Sequence, residues 1–339
     1  MQGKLPTIIL AALALVAGAW LLLGEWQPQS EDSVSDQQLF PLLEQKLNDI
    51  NRIRIEHVGS VYEVVKKSDQ WQLPDKGGYP VLFKRVKTLL LGIALLEKVE
   101  PKTSKPENHA RLGVQEPAAD TGNTRIELYA TGDAPVASLI AGKIRGGLIT
   151  GGRDGIYARV SGEQQAWLVA GNLDLPETQV DWVDRQIIHI KPKAVKRIII
   201  RQPDDSRLVI EKPSRGAPGF AVMNMPEGVG PKNPSEVNAL ARALAGLKLE
   251  DIRARSPLSP LETDAVTAMF ETWDGLQIRV ATVEQDDRIW ARFELAGTTT
   301  TAADSLQTRL AGWIYQLPSS RASKLRVRLG DLSEAEPGL

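Results

Sequence analysis

The chain has no cysteine among its 339 residues. That excludes structural disulfides, cysteine-ligated metals, a thiol nucleophile and the acylated cysteine of a lipoprotein, and it leaves the redox compartment open. Histidine is nearly as scarce. The three present, His57, His109 and His189, are separated by whole elements, so nothing offers His-x-x-x-His or His/carboxylate metal-ligand spacing. Net charge is almost absent too: 41 Lys plus Arg against 42 Asp plus Glu give a formal −1. A nucleic-acid partner would need a concentrated basic face, so none is expected. The short basic run Lys191 to Arg197 reads as a solvated strand entry, not a phosphate site.

Catalytic motifs are missing as well. There is no Gly-x-Ser-x-Gly elbow, and Asp204-Asp205 and Asp286-Asp287 read as turn acids, not as a paired acid and base. The passage Gly142 to Gly155 is glycine-rich but lacks Gly-x-x-x-x-Gly-Lys-Ser/Thr and is followed by no helical pattern. It reads as a hairpin loop, and its Lys143, Arg145 and Arg153 are the candidate partner-binding residues. The tryptophans Trp71, Trp167, Trp182, Trp273, Trp290 and Trp313 are scattered over separate elements, which suits core packing better than a carbohydrate platform. No catalytic residue, cofactor or metal site is expected.

Long apolar runs are absent with one exception. Leu5 to Leu23 carries no charge and includes Leu5, Ile8, Ile9, Leu10, Leu13, Leu15, Val16, Trp20, Leu21, Leu22 and Leu23. A helix of that length, at about 1.5 Å per residue, nearly matches a hydrocarbon core roughly 30 Å thick. The competing reading is a cleaved signal peptide read at Ala17-Gly18-Ala19, which would leave three leucines at the new terminus. Lys4 precedes the run and Glu25, Glu31, Asp32 and Asp36 follow it. The positive-inside rule therefore keeps the N-terminus cytoplasmic and places the rest outside, in the periplasm of a diderm bacterium. The expected topology is a single-pass inner-membrane protein.

Hydrophobic residues make up 42% of the chain and charged residues 24%, enough for a real core after the anchor. Gln27 to Gln38 reads as a polar tether and Leu39 to Leu47 as a short helix. Ile50 to Glu56, Val61 to Lys66 and Trp71 to Leu73 follow with the alternation of half-buried strands. Leu82, Val86, Leu89, Ile93 and Leu96 recur at helical spacing and predict a helix over 79–99. Strands are expected at Thr124 to Ala130, Val136 to Gly142, Gly155 to Val160 and Ala166 to Ala170.

The plan then restarts. Val195 to Arg201 echoes Ile50 to Glu56, Leu208 to Lys212 is the return strand, and Phe220 to Val222 stands where Trp71 stood. A second helix opens at Asn233 with Pro234 in its first turn and Glu236 placed for a capping box, and its apolar stripe is Val237, Leu240, Leu244 and Leu247. Pro80 and Gly92 match Pro234 and Gly246 in spacing, which suggests a close helix–sheet contact in each copy. Strands at Ala268 to Trp273, Gln277 to Val283 and Ile289 to Leu295 precede a helix over Ser305 to Tyr315.

The fold class expected is α+β: an N-terminal transmembrane helix, then two tandem copies of a mostly antiparallel sheet, each packed by one main helix. The boundaries are an anchor at 1–26, a linker at 27–38, copies at 39–190 and 191–333, and a tail at 334–339.

Together these stretches resemble the bacterial family called domain of unknown function 4340. The resemblance is carried by the anchor, Leu47 to Ile55, Trp71-Gln-Leu, Gly78-Tyr-Pro80, Val99 to Thr103 with Arg111 to Val114, and Ile140 to Lys143. Further matches are Tyr157-Ala-Arg159, Trp167 to Val169 with Leu173 to Pro176, Asp181 to Arg185, and Gly312 to Pro318. The family has no assigned reaction, so the resemblance supplies no catalytic residue. What it implies is context, because such proteins are often encoded beside ABC-type permease subunits of the gliding-motility or auxiliary-transport kind. The expectation is a non-enzymatic, membrane-anchored periplasmic accessory subunit of an ABC-type transport or envelope complex, with permease and ATPase subunits as partners. The alternatives are a periplasmic lipid- or glycan-binding module and a hydrolase with an unfamiliar site.

Overall fold

A computed structural model describes residues 37–149, 153–255, 264–297 and 301–335. The chain clusters into two compact units: one runs to Val61 and resumes over Lys87–Leu175, and the other comprises Tyr62–Val86 and everything from Pro176.

In chain order the first half holds β1 (Arg52–His57), β2 (Ser60–Lys67), β3 (Gln70–Leu73), β4 (Tyr79–Pro80), helix α1 (Phe83–Ala94) and β5 (Glu97–Thr103). It continues with β6 (Thr124–Tyr129), β7 (Ala137–Ile149), β8 (Arg153–Val160) and β9 (Ala166–Ala170). The second half has β10 (Gln186–Ile188), β11 (Val195–Arg201), β12 (Arg207–Glu211), β13 (Ala221–Val222), β14 (Val229–Pro231), α2 (Pro234–Leu240), β15 (Leu247–Lys248) and β16 (Asp251–Ala254). It ends with β17 (Val266–Thr272), β18 (Leu276–Gln285), β19 (Arg288–Gly297), α3 (Thr301–Leu310), β20 (Trp313–Leu317) and β21 (Ser333–Ala335).

In the first unit six strands lie in the order β1-β6-β7-β8-β9-β5. β1 pairs antiparallel with β6, Ile55 opposite Ile126, and β6 pairs with β7, Ile126 opposite Leu139. Alternation decides which face is inside: Ile53 and Ile55 are buried while Arg54 between them is exposed. A satellite core forms where Val114, Ile140, Tyr157, Ala166 and Leu168 meet.

The second unit's large sheet runs β13-β12-β11-β17-β18-β19-β20-β16. Its last six strands repeat the first unit's order element for element, with β11 standing for β1, β17 for β6 and β16 for β5. β12 and β13 likewise follow β11 in the chain as β2 and β3 follow β1. Strand β17 is the clearest one-sided strand, burying Val266, Ala268, Phe270 and Thr272 in strict alternation. The same unit contains the ladder β2-β3-β4. There the fully buried Trp182 donates its indole N–H to the Tyr62 hydroxyl at 3.1 Å, and Tyr79 meets Trp313 edge-on at 4.9 Å.

The α+β expectation is overturned. The described residues are predominantly antiparallel sheet, and among them only α1, α2 and α3 exceed a single helical turn. The second "main helix" is seven residues long: beyond Leu240 the chain runs in turns with N–H groups bonded three residues back, until Gly246 takes a positive φ of 57° and Leu247 pairs with β10. Its capping box is also replaced: the Asn233 side chain accepts the Ser235 N–H at 2.9 Å. The transmembrane helix that formed part of the expectation falls on residues outside those described. Among the described residues no helix is long and apolar enough to cross a membrane.

Three helices shrink at their ends. The helix over 79–99 is a strand at each end with α1 between, since β4 pairs with β3 and β5 with β9. Pro101 is tolerated in β5 because that strand is an edge, where a missing donor can face outward. The helix over Ser305 to Tyr315 stops at Leu310, Gly312 turns the chain at φ 85°, and Trp313 starts a strand. Leu39 to Leu47 keeps one α-helical turn, Leu43–Lys46, followed by a 3-10 turn from Leu47. The glycine pairing has two different causes: a Cβ on Gly92 would lie 2.8 Å from the Asn172 carbonyl, whereas Gly246 is required by its backbone angle.

Candidate functional site

The side chains that converge in the second unit do so at the mouth of the turn between β17 and β18. Trp273, one residue beyond β17, continues the ladder by donating its backbone N–H to Ala194 at 3.0 Å. Gly275 closes the turn at φ 87°, with its N–H on the Thr272 carbonyl at 3.1 Å. The Thr272 hydroxyl donates to the Asp274 carboxylate. That hydrogen bond is the main reason the Asp274 carboxyl is held below the usual carboxylate range, with backbone amides of the turn and the charge of Arg215 adding to it.

Beside this turn opens a cleft of about 440 Å³ lined by Lys193, Ala194, Arg215, Trp273 and Asp274. Lys193 comes from the single turn Pro192–Ala194 before β11, and Arg215 from the turn after β12. The Arg215 guanidinium carbon lies 5.9 Å from the indole centroid and the Lys196 ammonium 6.0 Å, both within cation–π range. Lys196 is also paired with Glu271 at 3.5 Å. The Trp273 indole nitrogen is buried without a hydrogen-bond partner. Indole N–H is a donor only, and leaving such a donor dry and unpaired costs about 1–3 kcal/mol.

In the first unit Tyr129, which by strand register matches Glu271, ends β6 with the Arg52 guanidinium carbon 4.0 Å from its ring centroid. Arg52 is tied to the Gly132 carbonyl at 3.5 Å and to Asp133 at 3.7 Å, and the Tyr129 hydroxyl donates to Glu127 at 3.0 Å. Of the residues lining the cleft, Lys193, Arg215 and Asp274 bring charge to it.

The residues singled out in the sequence lie elsewhere. Lys143 and Arg145 are on strand β7, not in a loop: Lys143 donates to the Arg111 carbonyl at 3.0 Å and Arg145 to the Tyr157 hydroxyl at 2.7 Å. Arg153 opens β8, opposite Ile149. Lys143 and Arg145 are not among the residues that line the cleft. The anchor residues Leu5, Ile8, Ile9, Leu10, Leu13, Leu15, Val16, Trp20, Leu21, Leu22 and Leu23 lie outside the described residues.

His109 is buried, its Nε2 2.9 Å from the Gln164 carbonyl oxygen, and His57 is held by Asn123 and Thr124. Among the described residues no three His, Cys, Asp or Glu side chains are grouped to hold a metal ion. The buried Arg159 is a structural clamp, bonded to the carbonyls of Val114 and Glu163 and to Glu116, which also pairs with Arg125. Burial pushes the Glu116 carboxyl up, but the hydrogen bond from Arg159 and the charges of Arg125 and Arg159 outweigh it and hold the group below its ordinary value.

The signal for the cleft in the sequence was the basic run from Lys191, which read as a solvated strand entry. Arg215 and Trp273 are 58 residues apart by their numbers and share no motif, so only the fold could add them.

No curated protein matches the chain, and no solved structure does. A family model does match, over residues 71–265, which is more than half of the 339 residues and takes in both Trp71 and Arg215. The chain belongs to the family described as Domain of unknown function (DUF4340).

Proposed function

We propose that the protein is a membrane-anchored, non-enzymatic accessory subunit of an ABC-type transport or envelope complex, with its N-terminus cytoplasmic and its sheets periplasmic. The uncharged run Leu5 to Leu23 supplies the anchor, and the genomic company that the family keeps supplies the partner class. The observation that supports the reading is how residues 37–39 are fastened to the first unit. Gln37 accepts the Lys98 N–H at 2.6 Å, Gln38 bridges Glu97, and Leu39 donates to the Leu96 carbonyl at 2.7 Å. The chain arriving from the anchor is thus fastened beside Leu95 and Val99, which are 53% and 48% exposed.

Residues 24–36 separate the anchor from that point. Thirteen residues reach at most about 45 Å. Exposed leucine and valine held so close to the bilayer suit contact with a membrane-embedded partner. Purification of the full chain in mild detergent is expected to recover permease and ATPase subunits, with a photo-crosslinker at Leu95 reaching the permease. Recovery of the protein alone, without crosslinks, refutes the reading. A second reading, a lipid- or glycan-binding module, draws its support from the cleft beside Trp273.

A further inference from the structure

We infer that the first unit rests on the bilayer surface, with Leu91, Leu95 and Val99 at the boundary between phospholipid headgroups and acyl chains. The inference rests on the anchored reading and adds to it which face of the unit meets the membrane. Leu91 and Leu95 stand one helical turn apart, the Leu95 N–H donating to the Leu91 carbonyl at 3.0 Å, so their side chains share a face. Lys87, one turn before Leu91, is exposed and puts a charge at the far end of that stripe. Val99 follows in β5, and Leu91, Leu95 and Val99 are 37%, 53% and 48% exposed. Leu89, Ile93 and Leu96 supply the core contacts of the same stretch, so the fold has no use for the three exposed side chains.

Three observations favour lipid as what covers them. The chain is pinned beside the patch, Leu39 on Leu96 and Lys98 on Gln37, and residues 24–36 span at most about 45 Å, which holds the patch within reach of the bilayer. Next to Val99, the Lys98 ammonium lies 5.3 Å from the ring centroid of the half-buried Trp167 on β9, and indole and lysine are side chains that settle at a membrane–water interface. A protein strand is poorly served by the same edge. Residues 37–39 already occupy it from Leu96 to Lys98, Pro101 brings no N–H, and Glu100 and Lys102 form an ion pair at 2.5 Å. Over 87–103 Lys87, Lys98 and Lys102 stand against Glu97 and Glu100. So small a surplus leaves the binding to apolar contact, and a zwitterionic lipid suffices.

The test uses the full chain, which has no cysteine of its own, with a single cysteine introduced and labelled with nitrobenzoxadiazole in phosphatidylcholine nanodiscs. Leu95→Cys and Val99→Cys probe the patch. Asp133→Cys is the reference, a fully exposed side chain in the β6–β7 turn, at the other end of the strands from Glu97. Lipid with a nitroxide near its headgroup is expected to quench both patch labels at least about twofold more than the reference. It is also expected to quench them more than lipid with the nitroxide at the chain end, since an interfacial surface sinks only about 5–10 Å. Leu95→Glu, at an exposed position, is expected to cut the quenching at Val99→Cys about twofold. Equal quenching at all three labels overturns the inference. If a crosslinker at Leu95 then still captures permease subunits in native membranes, the surface belongs to protein and the accessory reading stands. A chain that does not enter the discs removes the anchor, and the inference with it.

Discussion

Replacing Gly142 by alanine is expected to destabilise the first unit by about 2–3 kcal/mol, while the same change at Gly146, four residues along the same strand, alters stability by less than about 0.5 kcal/mol. Both glycines belong to the stretch whose composition suggested a loop, so composition cannot tell them apart. The structure can. A Cβ on Gly142 would stand 2.5 Å from the Leu112 carbonyl oxygen, 2.7 Å from that of Gly113 and 2.8 Å from a Val114 methyl. Two of the three obstacles are backbone, in a turn held by the Val114 N–H on the His109 carbonyl at 3.0 Å, so the clash cannot be relieved by a rotamer change. That places the cost toward the upper part of the overpacking range. At Gly146 the nearest atom is the Asp154 Oδ1 at 3.5 Å, an ordinary contact, and the backbone angle is one that any residue adopts. Urea unfolding followed by tryptophan fluorescence, with Trp167 in the first unit as reporter, measures both variants. If Gly142→Ala unfolds at the same midpoint as Gly146→Ala, the close approach of β7 to the turn at Leu112 is refuted.

Trp182→Phe removes the indole N–H that donates to the Tyr62 hydroxyl and shrinks a fully buried side chain, so a loss of about 1–3 kcal/mol is expected in the same assay. Burial pushes the Tyr62 hydroxyl from 10.0 up to about 12. The folded protein therefore keeps a proton that the unfolded chain gives up, and the stability this group contributes is whole below pH 10 and falls as the pH rises toward 12. Unfolding midpoints across that window should fall less steeply in Tyr62→Phe; identical slopes would show that Tyr62 is not buried as described. Arg159→Ala orphans the carbonyls of Val114 and Glu163 and is expected to cost about 2–3 kcal/mol by urea unfolding, a loss that solvent exposure of Glu116 does not soften because the guanidinium itself is buried. Deleting residues 1–26 is expected to move the protein from the carbonate-washed membrane fraction to the soluble fraction of the cell; persistence in the membrane would remove the anchor from the account.

The sequence determined the strands whose two faces meet different surroundings, and its uncharged N-terminal run is the basis of the proposed anchor. Ile53 and Ile55 alternate with arginines, and Val266, Ala268 and Phe270 with Thr267, Met269 and Glu271, because a strand buried on one face must repeat every second residue. Such a period is local and can be read without knowing the partner strand. Tertiary structure alone decided where periodicity ends. Leu95 to Thr103 and Trp313 to Leu317 are edge or late strands whose state depends on a ladder brought from far along the chain, β9 for one, β16 and β19 for the other. Leu247 continues a helical spacing yet pairs with Ile188, since one long-range ladder outweighs a weak local preference. The cleft follows the same rule: Lys193, Arg215 and Trp273 are ordinary residues of a strand entry, a turn and a strand end. They line one cleft only because strands β11, β12 and β17 lie side by side, and adjacency in a sheet is written in no single segment of the chain.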